Sequence, residues 1–253
     1  MKQQEFLLEN YSSFSLRDIF ECGQCFRWNK EEDGSYTGVF ANNVINVSKT
    51  TKGIYFKGVC EKDIVNTVID YFDLDRDYNE IKRTLAKVDN NMKESIRYGE
   101  GIRILNQDLW ETIISFIISA NNNIPRIKGI IERLSKKYGK EIEFNNKKYY
   151  TFPTVEELKD VSVEEYRELG LGFRDIRLYE TTKMILNKDV DISKLNEIKD
   201  TNQVRDELLK LSGVGPKVAD CILLFSTLKR FDVFPIDVWV RRVMNDLYIH
   251  KED

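Results

Sequence analysis

The chain has 253 residues, 42% hydrophobic and 32% charged, with a formal charge of −3. It is long enough for one large or two modest domains around a sizeable core, and too acidic overall for a generally sticky polyanion binder. No apolar run approaches the ~18 residues of a membrane span, and Met1-Lys2-Gln3-Gln4-Glu5 leads into no apolar signal core, so a cytoplasmic protein without membrane contact is expected.

Residues 26–58 alternate with the period of strands: Phe26-Arg27-Trp28-Asn29, Tyr36-Thr37-Gly38-Val39-Phe40, Val44-Ile45-Asn46-Val47 and Ile54-Tyr55-Phe56. Turn signals at Asp33-Gly34, Ala41-Asn42-Asn43 and Lys52-Gly53 separate them and predict a small antiparallel sheet. From about residue 61 helices dominate. Ile113, Ile114, Ile117 and Ile118, with Trp110 one turn earlier, form a helical stripe. Thr154-X-X-Glu157 and Ser162-X-X-Glu165 read as capping boxes, and Leu169-Gly170 ends the second of those helices. The order predicts an α+β protein: an antiparallel sheet domain with flanking helices at 1–88, then an all-helical domain at 89–253.

Between Arg126 and Lys148 eight cations (Arg126, Lys128, Arg133, Lys136, Lys137, Lys140, Lys147, Lys148) outnumber three anions (Glu132, Glu141, Glu143). The run reads either as a basic face for a phosphate backbone or as a solvated helix face. Cys22 and Cys25 have the spacing of a zinc or redox pair, but no second pair completes a zinc site, so reduced thiols and no zinc are expected. His250 is the single histidine, which removes Ser-His-Asp, Cys-His and zinc-deaminase chemistry. Lys, Asp, Glu, Tyr and Cys remain as reactive groups.

The most informative stretch is Leu211-Ser212-Gly213-Val214-Gly215-Pro216-Lys217-Val218-Ala219-Asp220. Gly213 and Gly215 permit the positive-φ or crowded backbone of a tight turn between helices, and Pro216 sits where a second helix begins. The free N–H groups of such a turn make a site for a phosphate oxygen. Val218, Cys221, Ile222 and Phe225 then follow at core spacing. Asp237 comes 20 residues after Lys217, at an extended entry into another helix. An amine and a carboxylate beside a DNA-backbone anchor point to chemistry on a nucleotide.

The hairpin, Lys217 and Asp237 resemble those of the helix-hairpin-helix base-excision DNA glycosylases, and Lys-Val-Ala-Asp-Cys at 217–221 is similar to the 8-oxoguanine DNA glycosylases in particular. Gly23-Gln24-Cys25-Phe26-Arg27-Trp28 resembles that family's Gly-Gln-Ser-Phe-Arg-Trp, and Tyr71-Phe72-Asp73-Leu74-Asp75 its Tyr-Phe-X-Leu-Asp. Asn121-Asn122-Asn123-Ile124 with Arg126, and Leu169-Gly170-Leu171-Gly172-Phe173-Arg174, resemble two more of its motifs. The resemblance implies a sheet domain and two helical lobes around a cleft. It also implies a bifunctional DNA glycosylase with apurinic or apyrimidinic lyase activity that flips 8-oxoguanine out of double-stranded DNA, at a cost of a few kcal/mol.

By the same resemblance Lys217 attacks C1′ and forms a Schiff base, and Asp237 stabilises the cationic sugar and assists proton transfers. Lys217 could instead pair with Asp220 at i+3, and Asp237 could be a helix N-cap, which is compatible with catalysis. Cys221 is implied to pack against the extruded purine, with simple core packing as the alternative. Gly23 is implied to offer its carbonyl to the N7–H that distinguishes 8-oxoguanine, with an ordinary turn glycine as the alternative. DNA contact is assigned to Gly213, Gly215 and Val218, to Phe173 as a wedge, and to Asn121, Arg126 and Arg174 at the orphaned cytosine. A helix cap for Asn121 and phosphate or surface ion pairs for the arginines are the simpler readings. The carbonyls of Leu209, Leu211 and Val214 are implied to hold K⁺ or Na⁺; the chemistry needs no cofactor, and the sheet domain argues against the iron–sulfur relatives.

Two departures stand out. Trp239 occupies a position where the family often has histidine. The family pattern also continues into further helices that supply a phenylalanine and a glutamine to the base pocket, whereas 16 residues follow Asp237 here. Either the chain continues beyond Asp253, which is the preferred expectation, or the pocket is built differently. The competing readings are an alkylated-purine glycosylase, which would lack Lys217, and a noncatalytic DNA-binding module, which would have no use for Asp237 or Gly23. A monomer is expected.

Overall fold

The computed structural model describes residues 2–9, 11 and 13–250. Five antiparallel strands form a sheet in the order β1-β5-β4-β3-β2: β1 (Lys2–Glu9), β2 (Trp28–Lys30), β3 (Tyr36–Phe40), β4 (Asn43–Lys49) and β5 (Gly53–Cys60). The register is set by pairs such as Trp28↔Gly38, Val39↔Val44 and Phe6↔Phe56. One face packs Ile45, Val47 and Phe56 against α1 (Leu16–Phe20) and α2 (Ile64–Tyr71). Trp28 sits at its centre, stacked 4.2 Å from Phe20, with its indole N–H donating to the Tyr71 hydroxyl at 3.0 Å. Gly38 lies directly beneath the indole, where an added Cβ would come within 2.2 Å of the ring. Trp28 of the Phe-Arg-Trp motif and the Tyr71-Phe72 pair therefore build this core, while Phe26 points into the helical one.

Strand β1 carries no turn signal and has a polar first half, so nothing local marks it; it exists because all eight of its residues pair with β5. Helices α3 (Tyr78–Leu85) and α4 (Asn90–Tyr98) follow. The sheet-side core extends past residue 88, since Leu105 is buried in it, and the next core begins at Leu109.

That second core is built on α5 (Leu109–Ser119), nine of whose eleven residues are buried. The isoleucine stripe is thus a central helix buried on nearly every side. Around it lie α6 (Ile124–Tyr138), α7 (Val163–Glu168), α8 (Asp175–Leu186), α9 (Thr201–Leu209) and α10 (Pro216–Phe225), contributing Ile130, Leu134, Tyr166, Leu178, Leu208 and Ile222 among others. Ser162 and Glu165 form the reciprocal capping box at the start of α7, and Gly170 leaves it at φ +88°. Helix α11 (Val238–Met244) and the π-helical segment after it (Asn245–Ile249) have no buried residue. No helix among the described residues is long and apolar enough to cross a membrane.

The order of sheet then helices holds, with one addition to the all-helical expectation. Residues Glu141–Phe144 (β6) and Lys147–Tyr150 (β7) form a two-stranded hairpin, turning at Asn145 and Asn146 with φ of 48° and 58°. Two consecutive left-handed residues are what a tight two-residue hairpin requires, and asparagine tolerates them. Ile142 and Phe144 cover Val39 and Val44 on the second face of the sheet. Burying that face is the physical reason for the hairpin.

Candidate active site

The polypeptide between α9 and α10 turns through Gly213 at φ +83°, packed so closely that an added Cβ would meet the Arg177 side chain at 2.8 Å. Gly215 differs: its φ is −97°, an ordinary extended conformation, and the space in front of it is open. Its need for glycine therefore lies in the room it leaves before the α10 N-terminus, not in backbone strain. Pro216 occupies the first turn of α10, and no side chain caps that end. The α8 helix braces the turn, with Thr181 Oγ1 donating to the Ser212 carbonyl at 2.9 Å and Ser212 Oγ to Glu180 at 2.5 Å. The Leu211 carbonyl accepts the Val214 amide at 3.1 Å, and no donor among the described residues reaches the carbonyls of Leu209 or Val214.

Lys217 is half-buried in the first turn of α10, with its ammonium 5.3 Å from the centre of the Phe116 ring. Asp220 does not pair with it: Arg205 takes that carboxylate at 2.7 Å. Lys217 and the buried Cys221 lie one turn apart on α10, and both the Lys217 ammonium and the Asp237 carboxylate are near enough to act on the Cys221 thiol. Burial pushes the Cys221 thiol up, Asp220 and Asp237 add to this, and the Lys217 ammonium opposes it. Asp237 also caps α11 through Oδ1, which accepts the Val240 amide at 2.8 Å. One carboxylate oxygen fixes the helix start, leaving the other free of it. Val218 is buried in the helical core behind this group.

Phe116 links the amine to the sheet-side loop, because Phe26 packs edge-on against it at 5.6 Å and Phe225 stacks on it at 5.8 Å. Gly23 lies just upstream with φ +85° and no atom within 4 Å of an added Cβ. Its neighbour Gln24 is 1% exposed and fixes the loop. The Gln24 amide donates to the carbonyls of Ile19 and Arg103 and accepts from Leu105 N–H, while its backbone carbonyl accepts from Gln107. Gln107 donates in turn to the Phe225 carbonyl at 3.2 Å. The Gly23 turn and α10 are thereby held as one unit.

A second cluster lies where the α5–α6 turn meets the loop before α8. Phe173 projects with 54% of its surface exposed. Arg174 is 1% exposed, and its guanidinium donates to the carbonyls of Ala120 (2.9 Å), Asn121 (2.7 Å) and Leu171 (3.2 Å). Its fork is turned inward and braces the turn carrying Asn121, which has φ +50°. The Asn121 side chain itself is exposed and has no hydrogen-bond partner among the described residues, while Asn123 supplies the α6 cap. Arg126 is exposed and makes one bond, to the Gly170 carbonyl at 3.1 Å.

The basic run from Arg126 to Lys148 does not form one face. It is divided between α6 and the β6–β7 hairpin, and Lys137, Lys140, Lys147 and Lys148 pair with Glu165, Glu157, Glu31 and Glu141 at 3.0–3.5 Å. Arg133 and Lys128 donate to backbone carbonyls. Half of the eight cations are thus paired with carboxylates, in keeping with the solvated-face alternative. Sequence reasoning also missed Phe116, hidden in a uniformly apolar helix, and Arg177, whose i+4 spacing from Phe173 was the available signal.

Residues 6–113 match the family described as 8-oxoguanine DNA glycosylase, N-terminal domain, and residues 114–253 match the HhH-GPD superfamily base excision DNA repair proteins. A probable N-glycosylase/DNA lyase of Methanothermobacter thermautotrophicus is 35% identical over 70% of this chain and 62% of its own length. The N-glycosylase/DNA lyase of Saccharomyces cerevisiae is 31% identical over 92% of this chain and 68% of its own length. This chain thus spans about two thirds of the curated relatives. The crystal structure of Clostridium acetobutylicum 8-oxoguanine glycosylase/lyase with DNA containing cytosine opposite 8-oxoguanine superposes with a TM-score of 0.93. It is 41% identical and covers 100% of this chain and 88% of its own. With both halves matched in order and the lysine-bearing hairpin in place, the chain belongs to the 8-oxoguanine glycosylase family of HhH-GPD base excision repair proteins.

Proposed function

We propose that the protein excises 8-oxoguanine from double-stranded DNA and then cleaves the strand, with Lys217 as nucleophile. The observation that carries this reading is the placement of Lys217 in the first turn of α10, directly after the hairpin and over the Phe116 ring, with Asp237 near enough to act on Cys221 one turn on. The Gly23 turn is tied to the same helix through Gln107. Backbone amides of Gly213 and Gly215, with those that follow Pro216 in the first turn of α10, anchor a phosphate without reading sequence. The flipped base enters between Cys221 and the Gly23 turn, whose carbonyl accepts the N7–H that guanine lacks. Phe173 wedges into the vacated stack, and Asn121 and Arg126 face the orphaned cytosine.

As the C1′–N9 bond breaks, its electron pair leaves with the base, which takes up the proton that the Lys217 ammonium gives up, and the resulting amine bonds to C1′. The Asp237 carboxylate stabilises the positive charge that develops on the sugar. Opening of the sugar ring yields a Schiff base at C1′. Loss of a C2′ proton then expels the 3′ phosphate by β-elimination. Chemistry needs no cofactor in this scheme. K⁺ or Na⁺ at the hairpin is supported by the carbonyls of Leu209 and Val214, which lack donors among the described residues; together with Leu211 they are the hard oxygen ligands such an ion takes. We further propose a cytoplasmic, DNA-associated monomer, with the division between sheet domain and helical domain moved from the expected residues 88 and 89 to between Leu105 and Leu109, where the two cores part.

Incubation with an 8-oxoguanine duplex and borohydride tests the reading. A covalent protein–DNA adduct is expected; release of free base without an adduct would remove the lysine mechanism. Adduct formation with an alkylated-purine duplex but not with 8-oxoguanine would overturn the substrate.

A further inference from the structure

Arg177 has no role in the site described so far, yet its placement is unusual. It lies in the first turn of α8, where the helix dipole disfavours a cation. Its aliphatic stem packs over Gly213 of the hairpin, and its guanidinium carbon lies 5.1 Å from the centre of the Phe173 ring. One side chain therefore spans the distance from hairpin to wedge. No carboxylate pairs with it among the described residues. The nearby acids are engaged elsewhere: Asp175 with Arg167 at 2.7 Å, and Glu180 with Ser212 at 2.5 Å.

The Arg174 guanidinium lies 4.2 Å from the same ring, so two cations share one aromatic group. Burial pushes the Arg174 guanidinium below its ordinary value, and the like charges of Arg126 and Arg177 push it further. Arg174 spends its N–H groups on backbone carbonyls and offers nothing to neutralise its neighbour. Three guanidinium groups gathered without a carboxylate, beside a turn of free backbone amides, form a place for an anion.

We propose that Arg177 binds a phosphate of the DNA backbone between the Phe173 wedge and the Gly213–Gly215 hairpin, and holds the Phe173 ring against the intrahelical space. The assignment rests on the DNA-glycosylase reading above. The phosphate supplies the counter-charge that the helix start and the arginine cluster lack, and the planar guanidinium keeps one face on the ring while its edge donates to the phosphate. Arg177 is a positioning residue: it contacts DNA but no reacting atom.

The test measures binding of a duplex with a tetrahydrofuran abasic analogue, which the enzyme cannot cleave, across KCl concentrations from 50 to 250 mM. Arg177→Met keeps the stem over Gly213 and removes the charge, and Arg177→Lys keeps the charge and removes the plane. The slope of log affinity against log salt should become shallower by about one unit in Arg177→Met, the value for one lost phosphate contact, and stay at the wild-type value in Arg177→Lys. Affinity of Arg177→Met should fall roughly tenfold at moderate salt. A 2-aminopurine beside the analogue should fluoresce less with either variant, because the wedge is less well held. A wild-type slope in Arg177→Met, or equally reduced slopes in both variants, would overturn the proposal. Absence of wild-type binding to this duplex would instead overturn the glycosylase reading on which it rests.

Discussion

Arg103 and Arg177 show two ways in which one side chain type is used. Arg103 is 1% exposed, with its guanidinium over the Tyr78 ring at 4.1 Å and donating to the carbonyls of Phe72, Asp73 and Arg76. It closes the turn after α2 and faces inward on every side. Arg177 is half-exposed, touches an aromatic face, and meets no oxygen of its own protein among the described residues. Buried cations persist only when the fold supplies their hydrogen bonds, whereas a half-exposed one keeps donors for water or a ligand. The same contrast separates the sheet core, where Trp28 and Tyr71 satisfy each other, from the edge carrying Lys217, Asn121, Arg126 and the open space at Gly215.

The largest effect should come from the functional side of this comparison. Lys217→Gln removes the amine without adding bulk over Phe116, so base excision and borohydride trapping should both fall to background while duplex affinity changes little. Trapping that survives in the variant would assign the nucleophile elsewhere. On the structural side, Arg103→Met leaves the buried Phe72 carbonyl without a donor and removes a second donor from the carbonyls of Asp73 and Arg76. It should destabilise the protein by roughly 3–5 kcal/mol in urea unfolding while the folded fraction keeps its excision rate. A stable variant with impaired chemistry would dissolve the distinction.

Asp237 stands on both sides, as helix cap and as proposed catalytic carboxylate. Asp237→Asn retains an oxygen for the Val240 amide and loses the charge. Excision should therefore fall about 10²–10³-fold with the melting temperature nearly unchanged. An equal loss of stability would show that capping is its main work.

Arg27 is an intermediate case. It is buried at the seam between the two cores, 3.9 Å from Glu111, and its Nη1 has no hydrogen-bond partner. Burial raises the Glu111 carboxyl to about 7, with Arg27 opposing and Asp108 adding to the rise. Because the folded state holds this proton more tightly than the unfolded chain, Glu111's contribution is greatest below about pH 4.5. It declines as pH climbs to about 7, by roughly 3 kcal/mol. Urea midpoints at pH 5 and pH 8 should differ less in Glu111→Gln than in the wild type; an identical pH dependence would remove Glu111 as its source.

The smallest effect concerns Arg126. With the Arg174 fork turned inward, Arg126 is the arginine with donors to spare for cytosine O2 and N3. Single-turnover excision should be faster opposite cytosine than opposite adenine, and Arg126→Ala should reduce that preference by about tenfold. Uniform slowing against all four opposite bases would make it a phosphate contact.

Local rules reached far along this chain. Strands β3 to β5 follow from alternation and turn residues, the α7 capping box from Ser162 and Glu165, and the hairpin from Gly213 and Pro216, since each is decided within a few residues. What local rules could not reach involves partners far apart. Strand β1 exists through its pairing with β5, and the β6–β7 hairpin through the sheet face it covers. The asparagine pair at 145–146 carried a turn signal, but the charges around it drew attention to a basic face instead.

The sequence by itself determined that an amine and a carboxylate, 20 residues apart, follow a glycine- and proline-built turn between helices, because hairpin, proline and lysine are contiguous. Only the tertiary structure decided which charges remain available. Lysines at 137, 140, 147 and 148 meet carboxylates folded in from elsewhere, and Asp220 is taken by Arg205, which frees Lys217 for Cys221. Arg174 turns inward while Arg177, three residues on, does not. Whether a charge is satisfied depends on neighbours brought together by burial, and burial is a property of the whole chain.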